Sequence, residues 1–149
     1  MGRGQRAEDR GQRTEDRGQR LIENTVMEKV HFNFEDLKVY QKALDFTDHA
    51  YSLTAKFPQS ELYGLTSQFN RAAVSIALNT SEGSGNTDAQ FHKYLQVADD
   101  SLRECVTCST IAFRRNYITS EENQKTRLLL LEMFKMIKSL QKYLKSKGK

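Results

Sequence analysis

From Gly64 to Asn86 the chain carries two stripes side by side at helical spacing, and no other stretch restricts its fold as tightly. Leu65, Phe69, Ala72, Ala73, Ile76 and Thr80 fall on one helical face and make a packing stripe of mostly small residues. Gln68, Arg71, Ser75, Asn79 and Glu82 follow at steps of three and four, giving a polar stripe beside it. On the next helix Ser101, Glu104 and Cys108 make a comparable stripe. A structural reading pairs Arg71 with Glu104 or Glu82 in a partly buried network that sets helix register. A functional reading has the stripe contact a ligand or a nucleic-acid backbone. Gly83-Ser84-Gly85 stops the run, with Gly83 expected in the left-handed conformation that ends a helix.

Punctuation is sparse elsewhere. One proline, Pro58, and eight glycines in 149 residues are too few for the turns of an all-β fold. The first helix is expected from Phe34 to Phe57. It carries one set of mainly apolar positions, Leu37, Tyr40, Leu44, Thr47, Tyr51 and Thr54. A second set is Val39, Ala43, Phe46, Ala50, Leu53 and Phe57. Together they cover ~160° of the circumference, more than the ~100° stripe of an ordinary surface helix. The excess predicts a subunit contact through Val39, Phe46, Leu53 and Phe57. The second helix spans Gly64 to Glu82. Thr87 with Gln90 is a capping box opening a third, whose core stripe is Phe91, Leu95, Ala98, Leu102, Cys105, Ser109 and Ala112. Thr119 with Glu122 opens a fourth, from Ser120 to Leu144. There Leu128 to Leu131 is apolar on all sides and expected to be central, and Met133, Phe134, Ile137, Leu140 and Leu144 continue the packing face. Short connections make sequential helices antiparallel neighbours, so residues 31–149 should form an all-α, up-down-up-down four-helix bundle.

Residues 1–30 have a different composition. GQRAEDR at 4–10 repeats as GQRTEDR at 11–17, and GQR at 18–20 begins a third copy. These heptads hold a glycine each and no apolar residue at a or d positions. The expectation is therefore a disordered low-complexity tail, which cannot bury enough surface to offset its ordering entropy. The repeat reads as translated repetitive DNA, with Met27 a candidate start. No window reaches ~18 apolar residues, no apolar h-region precedes the first helix, and two cysteines make no disulfide framework. A cytoplasmic protein without a membrane partner is expected.

Candidate chemistry is thin. Cys105 and Cys108 have redox-pair spacing but fall mid-helix, where no helix N-terminus lowers a thiol pKa. Glu28 and His31 have di-iron spacing but precede the bundle; Asp45 with His49, and His92, read as solvated. Glu82-Gly83-Ser84-Gly85 lacks the lysine and preceding strand of a phosphate loop. No nucleophile, base and orienting group assemble, so no enzyme activity, metal or cofactor is expected. Net charge is +4, which permits nucleic acid without requiring it. After Glu132 every charge is positive: Lys135, Lys138, Lys142, Lys145, Lys147 and Lys149. Lys138, Lys142, Lys145 and Lys149 share a face. With Arg114 and Arg115 they are the candidate RNA- or DNA-binding residues.

FEDLKVYQKA, FPQSELYGLTSQFNRAAVSIALNTSEGSG and FHKYLQVADDSLRECVT resemble the bacterial four-helix bundle family of the 23S rRNA intervening-sequence proteins. That family also includes the accessory protein of diversity-generating retroelements. The resemblance covers Phe34 to Leu144 and carries the family motif onto Gln68, Arg71, Ala72, Ser75, Asn79, Glu82, Gly83, Ser101 and Glu104. The chain departs from it at Ala77-Leu78, where a proline often precedes the asparagine, and at Thr80-Ser81, where Ile-Ala is common. What the resemblance implies is a homo-pentameric ring of bundles with a basic surface. In the retroelement branch that surface binds a reverse transcriptase and nucleic acid. Two functions follow: an oligomeric nucleic-acid-binding accessory factor, or a scaffold recruiting a partner such as a reverse transcriptase.

Overall fold

The structure is a computed structural model that describes residues 2–27 and 29–147, and the side chains of 11–23 and 29–147. It divides into two units, residues 1–32 and 33–149. Regular structure among the described residues is entirely helical, with no strand.

The first unit is one helix, α1, Gly2–Met27. This differs from the disorder expected there. The repeat is rich in glutamine, arginine and glutamate, all strong helix formers. Asp9 precedes Arg13, and Asp16 precedes Arg20, by one helical turn. Gln19 Nε2 donates to Glu23 Oε1 at 3.4 Å along the same helix. The side chains of 11–23 are all exposed, so that stretch of α1 stands on propensity and local pairs rather than on a core.

The second unit holds α2 (Lys38–Thr54), α3 (Leu65–Ser84), α4 (Asp88–Arg114) and α5 (Ser120–Lys147), with single 3-10 turns at Asn33–Asp36 and Gln59–Glu61. Each of these helices packs on the next, and α2 also meets α5. Cross-helix pairs give their order. Following α5 from Asn123 through Arg127 and Lys138 to Lys147, the partners on α4 are Ser109, Thr110, Asp99 and Asp88. The end of α5 therefore lies against the start of α4.

Helix ends follow the sequence closely. Thr119 and Glu122 complete a reciprocal capping box, 3.0 Å to the Glu122 N–H and 2.9 Å from the Thr119 N–H. Thr87 Oγ1 accepts from the Gln90 N–H at 3.3 Å. Asn116, with φ 63°, closes α4 in the left-handed region, where asparagine is tolerated better than most residues. The Tyr117 N–H reaches back to the Ala112 carbonyl at 2.9 Å, completing a Schellman-type stop. The start of α2 differs from expectation. Phe34 lies in a 3-10 turn, and Leu37 is extended at ψ 123°. The Phe34 ring stands edge-on to Tyr40 at 5.2 Å, and the Gln41 amide donates to the Glu35 carbonyl at 2.9 Å, fixing the offset.

The seven-residue stripe expected on the third helix is buried throughout, as are Phe69, Ala72, Ala73, Ile76 and Thr80 of α3. Three expectations need correction. Val39, Phe46, Leu53 and Phe57 are not a free arc for a subunit contact. All four are buried in the chain's own core, with Phe46 and Phe57 against Phe69 at 6.2 and 6.4 Å between ring centres. The Leu128 to Leu131 turn is not central on all sides, because only Leu130 is buried and Leu128 and Leu131 face outwards. Gly83 is not a left-handed stop, since no described glycine has positive φ and α3 continues to Ser84. Its role is close approach: a Cβ there would sit 2.6 Å from Tyr94 Cβ and 2.8 Å from Phe91 Cδ1.

Candidate functional site

The polar stripe of α3 meets that of α4 in a hydrogen-bonded seam. Gln68 Nε2 donates to Glu104 Oε2 at 3.1 Å. Two and three turns further along α3, Ser101 Oγ donates to Ser75 Oγ at 2.8 Å, and Asn79 Nδ2 donates to Ser75 Oγ at 3.0 Å and to the Ser75 carbonyl at 2.8 Å. Five of the motif residues thus lie along one contact, with Gly83 at its end. Arg71 does not join it. The side chain is exposed, and among the described residues no ion pair links it to Glu104 or Glu82. The Glu104 carboxylate is taken by Gln68 instead. Arg71 lies in an open groove of about 640 Å³ between α2 and α3, beside Tyr51, Leu62, Tyr63, Val74 and Leu78. Tyr63 is 94% exposed there.

The candidate basic residues are not brought together. Arg114 and Arg115 are exposed at the end of α4. Lys142 and Lys145 are exposed near the end of α5, which lies against the start of α4, where Lys147 pairs with Asp88 at 3.6 Å. The length of α4, ~40 Å at 1.5 Å per residue, separates the two groups. Lys149 lies outside the described residues.

Lys138 is held in place by other side chains. Its ammonium is 3.0 Å from Asp99 Oδ2, donates to Gln141 Oε1 at 3.3 Å, and lies 5.6 Å from the centre of the Phe134 ring. Arg103 Nε approaches Asp99 Oδ1 at 3.4 Å, and its guanidinium stands 5.7 Å from the same ring. Asp99 is 1% exposed. Its Oδ1 receives no well-formed hydrogen bond, so the Arg103 contact is charge attraction without alignment. Buried Gln141 donates to the His92 carbonyl at 3.3 Å and to Gln96 Oε1 at 3.4 Å, tying the same patch to the start of α4. An ammonium engaged this way would have to leave Asp99 to meet a phosphate.

Neither cysteine is poised to react. Burial pushes the Cys105 thiol far above its ordinary value, with Cys108 and Glu104 adding to the shift. Burial and then Glu104 push Cys108 up to about 11. His49, expected in solvent, is half-buried against α5. Thr126 Oγ1 donates to the Glu122 carbonyl at 2.8 Å, so it accepts from His49 Nε2 at 2.8 Å. Burial and the nearby Lys125 charge hold the imidazole pKa below its usual value, against the pull of Glu122. Among the described residues no group of three or more His, Cys, Asp or Glu is placed to hold a metal ion. Glu28 lies outside the described residues, so the Glu28–His31 spacing has no described geometry. No described helix is long and apolar enough to cross a membrane.

Residues 35–139 match the family described as 23S rRNA-intervening sequence protein. The chain belongs to that family. Among solved structures, one match is a protein of unknown function of the S23 ribosomal protein family from Bacteroides thetaiotaomicron. It is 24% identical, covers 70% of this chain and 95% of its own, and superposes with a TM-score of 0.65. At that identity the likeness speaks for the fold. No curated protein matches the chain. The family match takes in the seam, Gly83 and the Asp99–Lys138 pair. It ends before Lys142 and Lys145.

Two features of this family member escaped the sequence reading. Asp99 is a charged residue followed by Asp100 and Ser101, and only its place beside Ala98, one turn after Leu95, hints at burial. The α2–α3 groove draws Leu62 and Tyr63 from a connection, where no periodicity marks them.

Proposed function

We propose that the protein is a non-enzymatic, cytoplasmic, homo-oligomeric nucleic-acid-binding accessory factor built on an antiparallel up-down-up-down four-helix bundle. The bundle reading is supported by the opposed order of the cross-helix pairs. The observation that carries the nucleic-acid reading is the one-signed end of α5. Lys142 and Lys145 are exposed there, and no carboxylate follows Glu132 in the chain. The macrodipole favours lysines at a helix C-terminus, yet free ammoniums on neighbouring turns also suit a phosphate backbone. Each protomer offers few such charges, so binding should be sequence-indifferent and should gain from several copies acting together.

Fluorescence anisotropy with mixed-sequence RNA and DNA tests this. Affinity is expected to fall steeply with salt, in proportion to the phosphates neutralised. Lys142→Glu with Lys145→Glu should abolish binding and leave the melting temperature unchanged. Lys138 is left out of the variant, because a carboxylate there would face Asp99. Undiminished binding by the double variant, or none by the parent at low salt, would remove this reading.

Self-association is supported by the family resemblance, which implies five copies, and by the α2–α3 face. Tyr51, Leu62, Tyr63 and Leu78 are exposed together there around Arg71, an apolar patch of the kind monomers seldom leave in water. Tyr63→Asp with Leu78→Asp should convert the assembly to monomers in light scattering. An unchanged mass for the variant would place the contact elsewhere, and a monomeric parent would end the oligomer reading. A second function, recruitment of a partner protein such as a reverse transcriptase, is favoured by a groove on the other side of α4.

A further inference from the structure

Between α4 and α5 runs a groove of about 580 Å³ with an apolar floor and a cationic rim. Val106, Leu128, Leu131 and Phe134 line it, and Arg103 and Arg127 border it. Leu128 is 66% exposed and Leu131 46%, although both belong to a helix whose other apolar residues largely turn inwards. The remaining polar lining is Thr107 and Gln124, and none of the lining residues is a carboxylate. We infer that this groove seats an acidic amphipathic helix of a partner protein. This deepens the recruiting reading above and does not depend on the lysines of α5.

Three physical arguments select that occupant. The first concerns its backbone. An extended peptide on this floor would meet almost no hydrogen-bonding partners, and unpaired main-chain groups are costly to bury. A helix satisfies its own N–H and C=O groups and packs between two others as ridges in a groove. The second is charge. No carboxylate lines the groove, and the one carboxylate that Arg103 approaches, Asp99, is buried behind it and shared with Lys138. Acidic residues flanking the apolar stripe of the incoming helix are therefore favoured and basic ones opposed.

The third is preorganisation. Asp99 and the Phe134 ring hold the Arg103 guanidinium, whose side chain is still 64% exposed. Arg127 Nη1 is steadied by Thr110 Oγ1 at 3.2 Å. Arginines already fixed at the rim lose little freedom when a carboxylate arrives. The lining from Gln124 to Phe134 spans ~15 Å, enough for about three turns of the partner. A nucleic-acid strand fits less well, because it would set its phosphates against exposed leucines and find two cations.

The test uses the full chain and a fluorescein-labelled peptide of leucine, alanine and glutamate, with leucines on one helical face over roughly four turns. One control peptide shuffles the leucines, and another replaces glutamate by lysine. The acidic amphipathic peptide should bind and both controls should bind at least about tenfold more weakly. Leu128→Asp should cost about tenfold or more with the melting temperature unchanged, and Arg127→Gln should erase the preference for glutamate over lysine.

Equal binding of the shuffled peptide, or an undiminished affinity for Leu128→Asp, overturns the proposal. If Leu128→Asp instead lowers the mass in light scattering, a second copy occupies the groove. If Arg127→Gln impairs oligonucleotide binding while the peptide never binds, the groove belongs to nucleic acid. The Lys142→Glu, Lys145→Glu protein should bind peptide normally, which separates failure here from failure of the nucleic-acid reading.

Discussion

Lys138→Met should lower stability by about 3 kcal/mol, the low end of what breaking a buried ion pair costs. Methionine keeps the aliphatic stem over Phe134 and deletes only the ammonium. Asp99, 1% exposed, is then left with poor compensation. Gln96 Nε2 stands 3.4 Å from Oδ2, and Arg103 Nε reaches Oδ1 at 3.4 Å without a well-aligned hydrogen bond. The reverse change, Asp99→Leu, should cost less, because Lys138 is 40% exposed and can turn its ammonium to water. Combining the two should recover most of the loss, since apolar replacement of a whole buried pair is often near neutral. Denaturant midpoints at one fixed protomer concentration give the cycle. Additive losses in the double variant would show that Asp99 and Lys138 are not coupled, and that Lys138 is held at the surface for another reason.

That pair also shows where sequence reading stops. Lys138 stands on one face with Lys142 and Lys145, and periodicity assigns all three the same role. Whether a lysine at the margin of a packing face meets solvent or a buried carboxylate depends on the neighbouring helix. Asp99 gave no sign of being that neighbour. His49 was misread for the same reason: its own helix made its face look charged, and only the packing of α5 supplied Thr126. Arg71 failed in the opposite direction, because Glu104 was spoken for by Gln68.

Information confined to one helix was legible. The α3 and α4 packing stripes, the Thr119–Glu122 capping box and the Thr87 cap all rest on local spacing or on single-residue preference. For residues 2–27 two local readings compete: absence of apolar positions argues for disorder, and the glutamine, arginine and glutamate of the repeat favour the helix α1. The Gln68–Glu104 and Ser75–Ser101 seam lies between these cases. Its residues were visible as two stripes, and their pairing became definite only when α3 and α4 were brought together.

Gly83→Ala should destabilise the protein, by about 1–2 kcal/mol after two opposing effects are weighed. Alanine at a helical position ordinarily gains up to ~1 kcal/mol over glycine through backbone entropy. Here its Cβ would lie 2.6 Å from Tyr94 Cβ, an atom tied directly to the α4 backbone, and 2.8 Å from Phe91 Cδ1. The phenylalanine ring can shift, but Tyr94 Cβ cannot move without moving α4. Overpacking of this kind costs about 1–3 kcal/mol. The seam beside it should open as well, so Gly83→Val should be worse than alanine.

Gly85 is the internal control. Its φ is −83°, and nothing but the Glu82 carbonyl at 3.8 Å stands near its missing Cβ. Gly85→Ala should be neutral or stabilise by ~0.4–1 kcal/mol, since alanine restricts only the unfolded chain there. Asparagine separates the two roles a glycine can have at residue 83. A left-handed stop tolerates asparagine, whereas a close helix contact rejects it at least as strongly as alanine. Denaturant midpoints that rank Gly83→Asn near the parent and Gly83→Ala well below it would restore the helix-stop reading and remove the close approach of α3 to α4 as the reason for this glycine.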